Sequence, residues 1–159
     1  LSRIDKIKRV NDIIETTKHE TDKFKLHIVG NGPELESLKQ KYQQFKNVIF
    51  YGFINDQKLE KILEEIDVFV ISSENEGMPT VLIEMILRKI PVIATSIPGN
   101  LAILGNHNNK FNYEVGNLKE LNLILKKKEF FVNKLLYESV VRNFTWENRI
   151  KDIEDVYYE

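Results

Sequence analysis

Apolar residues recur at three- and four-residue intervals at the start of the chain: Ile4, Ile7, Val10, Ile13 and Ile14, with Lys and Glu between them. That spacing lines one helical face and predicts a helix over 4–20. The pattern then changes period. Phe24-Lys25-Leu26-His27-Ile28-Val29 alternates and stops at Gly30, which predicts a strand. Asn31-Gly32-Pro33 predicts a turn into a helix, with Pro33 at its first position and Leu35, Leu38 and Tyr42 on its apolar face to about Phe45. Val48 to Tyr51 predicts a short strand closed by Gly52. Asn55 is placed to cap a helix whose core face is Leu59, Ile62, Leu63 and Ile66. A strand over 67–71, a polar loop, a helix over 79–88 and a strand over 91–95 follow.

After Gly99 the pattern weakens. Gly105 to Asn109 predicts a polar loop and Phe111 to Tyr113 a short last strand. Helices are predicted over 117–127, 129–142 and 146–158. Thr145 would cap the last, and Trp146, Ile150, Ile153 and Tyr157 would be its buried stripe. With Leu1-Ser2 counted as the stub of a first strand, about six strands alternate with helices, roughly one per 25 residues. The fold class is therefore α/β. We expect a three-layer Rossmann-like domain with a parallel sheet, helices on both faces and extra C-terminal helices. Arg3, Gly30, Gly52, Ser72 to Gly77 and Thr95 to Gly99 each follow a predicted strand, so they should meet at the carboxyl edge, where such sheets bind ligands.

Composition narrows the class. The 159 residues fit one domain with a full-sized core, and residues 1–159 are read as one. A net charge of −1 argues against a nucleic-acid partner. The chain has no cysteine, which excludes disulfides and thiolate metal sites. No apolar run reaches the ~18 residues of a membrane span, and no signal peptide is visible; cytoplasm is the default compartment. The first residues, Leu1-Ser2-Arg3, lack a Met, which suggests a piece of a longer protein.

The stretch richest in chemistry is Ser72 to Glu84. Glu76 lies in its loop. Glu84 lies inside Val-Leu-Ile-Glu-Met-Ile-Leu, where a lone charge is costly unless paired. Between them a helix begins, and its free amides and dipole favour a phosphate or diphosphate. Two carboxylates flanking such a site suit the hydroxyls of a nucleotide-sugar. The bland reading of the same spacing is a solvated loop acid and a Glu84–Arg88 pair one turn apart. Arg3 and Lys8 suit a diphosphate, or simply belong to a solvated basic face with Lys6 and Arg9. Gly30-Asn31-Gly32-Pro33 lacks the third glycine and the later acid of a dinucleotide fingerprint, and reads better as a tight turn. His19, His27 and His107 have no metal-ligand spacing.

In their order along the chain, these pieces resemble the C-terminal domain of family 4 retaining glycosyltransferases, which have the GT-B fold. Arg3 with Lys8 resembles the family's arginine–lysine pair, and Gly30 to Pro33 its glycine–proline turn. Val48 to Gly52 resembles the strand before its base-binding loop, and Ser73 to Glu84 its two-glutamate motif. Pro91 to Asn100 resembles its next strand and glycine loop, and Phe144-Thr145-Trp146 the aromatic motif opening its last helix.

The resemblance implies roles. Arg3, Lys8 and Glu76 would be catalytic, the two cations against the donor diphosphate and Glu76 on the sugar hydroxyls. Gly32, Phe53, Ile54, Gly77, Met78, Pro79, Thr80 and Glu84 would bind the donor, with Phe53 and Ile54 near the base and Glu84 on the ribose. It implies sugar transfer from a nucleotide-diphospho-sugar to a glycan or lipid-linked acceptor, with no cofactor and no metal. An N-terminal acceptor domain, absent from this chain, would be the partner. A full-length enzyme would sit in the cytoplasm, with peripheral association at the inner face of the membrane. Three departures stand out: Met78-Pro79 replaces a second glycine, Pro98 and Ala102 replace a glycine and a glutamate, and the first strand is cut to Leu1-Ser2. The alternatives are a non-catalytic sugar-nucleotide module and a sugar-nucleotide epimerase, the latter lacking a visible acid/base set. A receiver-type signalling domain lacks its acidic pair and lysine.

Overall fold

A computed structural model describes residues 1–127 and 129–145. The chain runs through α1 (Val10–Thr17), β1 (Leu26–Val29), α2 (Leu35–Tyr42), β2 (Val48–Gly52), α3 (Asp56–Glu65) and β3 (Phe69–Ile71). It continues through α4 (Thr80–Leu87), β4 (Val92–Thr95), α5 (Pro98–Leu104), β5 (Asn112–Tyr113), α6 (Leu118–Lys126) and α7 (Lys134–Phe144). Every strand pairing is parallel, as the alternation of helix and strand predicts.

Helices cover both faces, and the strand residues sort by the period of two. Leu26, Ile28 and Val48 turn to one face and pack with Ile4, Val10 and Ile14 and with Leu35, Leu38 and Tyr42 of α2. Val68 and Val70 turn the same way, onto α6. Phe69 and Ile71 point oppositely, into a core with α3, α4 and α7. The anticipated α/β class with helices on both faces is the observed one.

The strand count differs. The described residues hold five strands in two sheets, β1-β2 and β3-β4-β5, where one sheet of about six was expected. The difference lies at Leu1-Ser2. Ser2 N–H reaches the Val29 carbonyl at 3.1 Å and Ile4 N–H the Asn31 carbonyl at 2.9 Å, but the run is too short to form a ladder. Among the described residues no strand therefore joins β1 to β3.

The first helix also differs. Residues Lys6–Lys8 form a 3-10 turn, because the Asp5 carboxylate takes the Lys8 N–H. Arg9 is left-handed (φ 48°), and α1 starts after it. Ile7 is 46% exposed as a result, rather than on the core face. Pro33 precedes α2 by two residues instead of opening it, and Glu34 is its N-cap. Asn55 caps α3 as anticipated, accepting the Lys58 N–H. The 105–109 loop belongs to a 3-10 segment, Gly105–Phe111. The helix anticipated from 129 begins at Lys134, where the Asn133 side chain caps it. Thr145 ends α7, and the helix anticipated over 146–158 lies outside the described residues.

Candidate functional site

The loop after β3 is docked on the turn before α1. Ser72 Oγ donates to the Lys8 carbonyl at 2.7 Å, with the Arg9 carbonyl 3.1 Å away. The Glu74 N–H donates to the Ile7 carbonyl at 2.9 Å. These bonds hold residues separated by more than sixty positions, and they place Lys8 over Glu76. Lys8 Nζ lies 2.6 Å from Glu76 Oε1, and Ser73 Oγ donates to the same oxygen at 2.6 Å. Both partners of the ion pair are mostly shielded, with side chains 24% and 12% exposed. Charge-assisted hydrogen bonds of this kind contribute about 1.5–3 kcal/mol.

From the other side the loop rests on β4 and α5. Thr95 Oγ1 donates to the Ser73 carbonyl at 2.6 Å, and Asn100 Nδ2 donates to Thr95 O and Oγ1. Gly99 touches the same loop so closely that a Cβ there would lie 2.1 Å from the Glu76 carbonyl oxygen. Only a residue without a side chain fits. Gly32 plays the same part at the first segment, where a Cβ would lie 2.1 Å from the Ile4 carbonyl oxygen.

Beyond Glu76 the chain rises into solvent. Gly77 has open space around its Cβ position and Met78 is 60% exposed. Pro79 is the N-cap of α4 and supplies no side-chain hydrogen bond, so the first-turn amides of that helix have no side-chain cap. Helix α4 buries Leu82, Ile83, Met85 and Ile86, each contributing up to ~1.5–3 kcal/mol. At 100° per residue Glu84 falls opposite that arc, on the same face as Thr80 one turn earlier, and both are exposed. The anticipated cost of a buried Glu84 does not arise. Nor does the Glu84–Arg88 ion pair: Arg88 holds Glu60 instead, through two nitrogens at 2.6 and 2.7 Å.

Lys8 and Glu76 are thus in contact, with Gly77 to Thr80 leading from them to α4. Arg3 stands apart. Its side chain is 73% exposed, with Nε 3.7 Å from Asp5. Phe53 (87% exposed) and Ile54 (half-buried) lie on the β2 loop, after Gly52 turns the chain at φ 66°.

Four supporting residues lie in stretches the sequence reading placed at the carboxyl edge or in its motifs but were given no role of their own: Ser72, Ser73, Thr95 and Asn100. The one available signal was a serine pair placed directly after an apolar strand. Arg9 is likewise no solvated cation. Its Nε donates to Asp12 at 2.8 Å and Nη1 to Glu74 at 3.2 Å, and the Asp12 bond above all raises its pKa despite partial burial.

Among the described residues no three His, Asp or Glu side chains converge in a way that would hold a metal. None of their helices is long and apolar enough to cross a membrane.

The family description "Glycosyl transferases group 1" matches residues 1–129. The chain belongs to that family. It is 32% identical over 107 residues to a putative teichuronic acid biosynthesis glycosyltransferase, TuaC, of Bacillus subtilis, covering 67% of this chain and 26% of TuaC. Among solved structures it superposes on Anabaena Alr3699/HepE in complex with UDP with a TM-score of 0.83 at 20% identity, over 99% of this chain and 47% of that one. It also superposes on the C-terminal domain of a group 1 glycosyl transferase, LpcC, of Francisella tularensis, with a TM-score of 0.72 at 21% identity, over 92% and 84% of the two chains. The structural likenesses establish the fold. The chain therefore spans about a quarter of the length of TuaC and under half of HepE.

Proposed function

We propose that this chain is the donor-binding, C-terminal half of a family 4 retaining glycosyltransferase and that residues 1–159 form one nucleotide-sugar-binding domain. The observation that carries this is the Lys8–Glu76–Ser73 cluster, set beside the side-chain-free N-terminus of α4 at the carboxyl ends of parallel strands. A diphosphate placed there meets the α4 amides and the Lys8 ammonium. Arg3, mostly exposed and holding Asp5 only at 3.7 Å, swings in from the same segment. Glu76, released from Lys8 as the diphosphate takes the ammonium, turns to the sugar hydroxyls. Thr80 and Glu84 share the face that follows, and Glu84 takes the ribose diol. Gly32, Gly77, Met78 and Pro79 approach the phosphates and sugar with backbone groups, and Phe53 and Ile54 bound the base.

In this reading catalysis is positioning plus charge stabilisation of the departing nucleoside diphosphate, supplied by protein cations rather than a resident metal. The donor is a nucleotide-diphospho-sugar. The acceptor is a glycan or lipid-linked glycan held by an N-terminal domain. The complete enzyme works in the cytoplasm and meets the inner membrane face peripherally. That UDP is bound by HepE and that teichuronic acid synthesis is the role named for TuaC support the donor and acceptor classes.

Calorimetric titration with UDP, GDP and ADP, then the matching nucleotide-sugars, tests the reading. One diphosphate binds in preference, without added metal and unaffected by EDTA. Lys8→Met weakens it tenfold or more. The chain alone gives no sugar transfer. Equal or absent binding of all three nucleotides overturns the donor-site assignment, and turnover by the chain alone overturns the half-enzyme assignment.

A further inference from the structure

Two non-glycine residues among those described have a left-handed backbone, Arg9 at φ 48° and Lys89 at φ 61°. A residue with a Cβ is strained there and glycine is not. Lys89 follows the end of α4, where helices commonly turn left-handed to close. Arg9 stands before α1, where the residue ahead of the first turn is ordinarily extended, and its side chain does not cap the helix. The needs of a helix end therefore do not explain Arg9. Its neighbour in sequence is Lys8, the cation of the site.

The guanidinium is what holds that strain. Its Nε donates to buried Asp12 of α1 at 2.8 Å and its Nη1 to Glu74 of the β3 loop at 3.2 Å. From the loop after β5, Gly116 leaves it room, since a Cβ there would lie 3.1 Å from Nη2. Glu74 then grips both neighbours of Lys8. Its N–H donates to the Ile7 carbonyl at 2.9 Å, and its carboxylate takes Arg9. Ser72 Oγ holds the Lys8 carbonyl itself at 2.7 Å. The same loop, two residues beyond Glu74, carries Glu76, whose Oε1 receives the Lys8 ammonium at 2.6 Å. Lys8 is thus fixed, through itself and the residues on either side, by the loop that carries its partner. A glycine at position 9 would make the turn without strain, but it would leave Glu74 attached through its N–H alone.

We infer that Arg9 is a positioning residue for the transfer reaction: its guanidinium, bridging Asp12 and Glu74, sets the Lys8 ammonium against Glu76. Strain of this kind persists where the surroundings over-determine it, and here the surroundings are two carboxylates on two separate elements. Those carboxylates take up the Arg9 charge, so Arg9 acts through Lys8 and is not a further phosphate cation. Lysine is no substitute, because a point charge does not span both partners as the planar fork does. The effect on donor binding rests on the reading of Lys8 as a diphosphate cation. The placement of Lys8 does not.

Trace acetylation with acetic anhydride, read by mass spectrometry against exposed Lys119, reports on Lys8 without any ligand. In the unaltered chain Lys8, shielded against Glu76, reacts more slowly than Lys119. Arg9→Gly gives the turn a residue that takes φ 48° freely, so the Tm stays within about 3 °C. Lys8 acetylation nevertheless rises about fivefold as the segment loosens. Arg9→Lys gives a smaller rise. Glu74→Gln keeps the N–H bond to Ile7 and leaves residue 9 untouched. It raises Lys8 acetylation too, and it decides the matter if Arg9→Gly does not fold. Calorimetry with the tightest binder of UDP, GDP and ADP gives the second readout. Arg9→Gly weakens that nucleotide about fivefold, and in a Lys8→Met background it weakens it no further, as coupled residues require. Unchanged Lys8 acetylation in folded Arg9→Gly, or in Glu74→Gln, overturns the inference. Additive losses from Lys8→Met and Arg9→Gly also overturn it, because Arg9 would then act on the ligand independently. If Lys8 is released as expected while the unaltered chain binds none of the three nucleotides, the placement of Lys8 by Arg9 stands and the donor-site assignment falls.

Discussion

The two gaps between neighbouring βα units differ in kind. Between β3 and β4 the carboxyl edge is closed. The Ser73 carbonyl is held by Thr95, Thr95 by Asn100, and the Glu76 peptide rests on Gly99 with no room for a Cβ. Between β1 and β3, which belong to different sheets, no ladder joins the described strands. One wall of the candidate site, carrying Glu76 and α4, is therefore preorganised by packed backbone. The other, carrying Arg3 and Lys8, hangs on the few hydrogen bonds of residues 2–9. Rigid placement of one wall and loose placement of the other means that anything ordering the first segment also orders the cations.

The sharpest way to break the closed side is Gly99→Val. The new Cβ would sit 2.1 Å from one carbonyl oxygen and 2.8 Å from the next, both backbone atoms that have little freedom to move. Overpacking of this kind costs about 1–3 kcal/mol and more where backbone is the obstacle. Denaturant melts should show that loss, and nucleotide affinity should fall with it because Glu76 moves. Unchanged stability would mean that the loop is not held as described.

Much of this was legible in the chain, and the physical reason is periodicity. The switch between 3.6 and 2 located every strand from β1 to β5 and the carboxyl edge on which Gly30, Gly52 and Ser72 to Gly77 lie. Two kinds of information were not there. Glu84 looked buried because its neighbours in sequence are apolar, yet Leu82, Ile83, Met85 and Ile86 already complete the buried arc and leave position 84 facing out. Ser73, Thr95 and Asn100 act through space across two strands, and residue types alone do not reveal such pairings. The break at Arg9 was likewise hidden. Its cause is the Asp5 side chain closing a turn, while the apolar spacing runs straight through it.

Thr95→Val probes the closed side more gently. It keeps the shape and removes the donor to Ser73 O and an acceptor of Asn100 Nδ2, both fully buried. Leaving such groups short of partners costs about 1–3 kcal/mol. Because the deficit lies beneath Ser73 and Glu76, the variant should lose nucleotide-sugar affinity beyond what its stability loss alone explains. Calorimetry at a temperature where both proteins are folded separates the two effects.

The smallest effect on stability is expected at two exposed acids that flank Arg88, and it separates structure from function most cleanly. Glu60 holds the Arg88 guanidinium through both oxygens, but both side chains are more than 40% exposed, so Glu60→Ala should cost only about 0–1 kcal/mol. Glu84→Ala, on the outward face of α4, should cost no more than about 0.5 kcal/mol. Their ligand effects should run the other way. Glu60 lies on α3, and its loss should leave nucleoside diphosphate affinity unchanged. Glu84 shares a helix face with Thr80 above the free α4 amides, and its loss should weaken the nucleoside diphosphate itself about tenfold, the ribose diol having lost its acceptor. Equal affinities for the two variants would remove Glu84 from the site and leave the ribose to another group on that face.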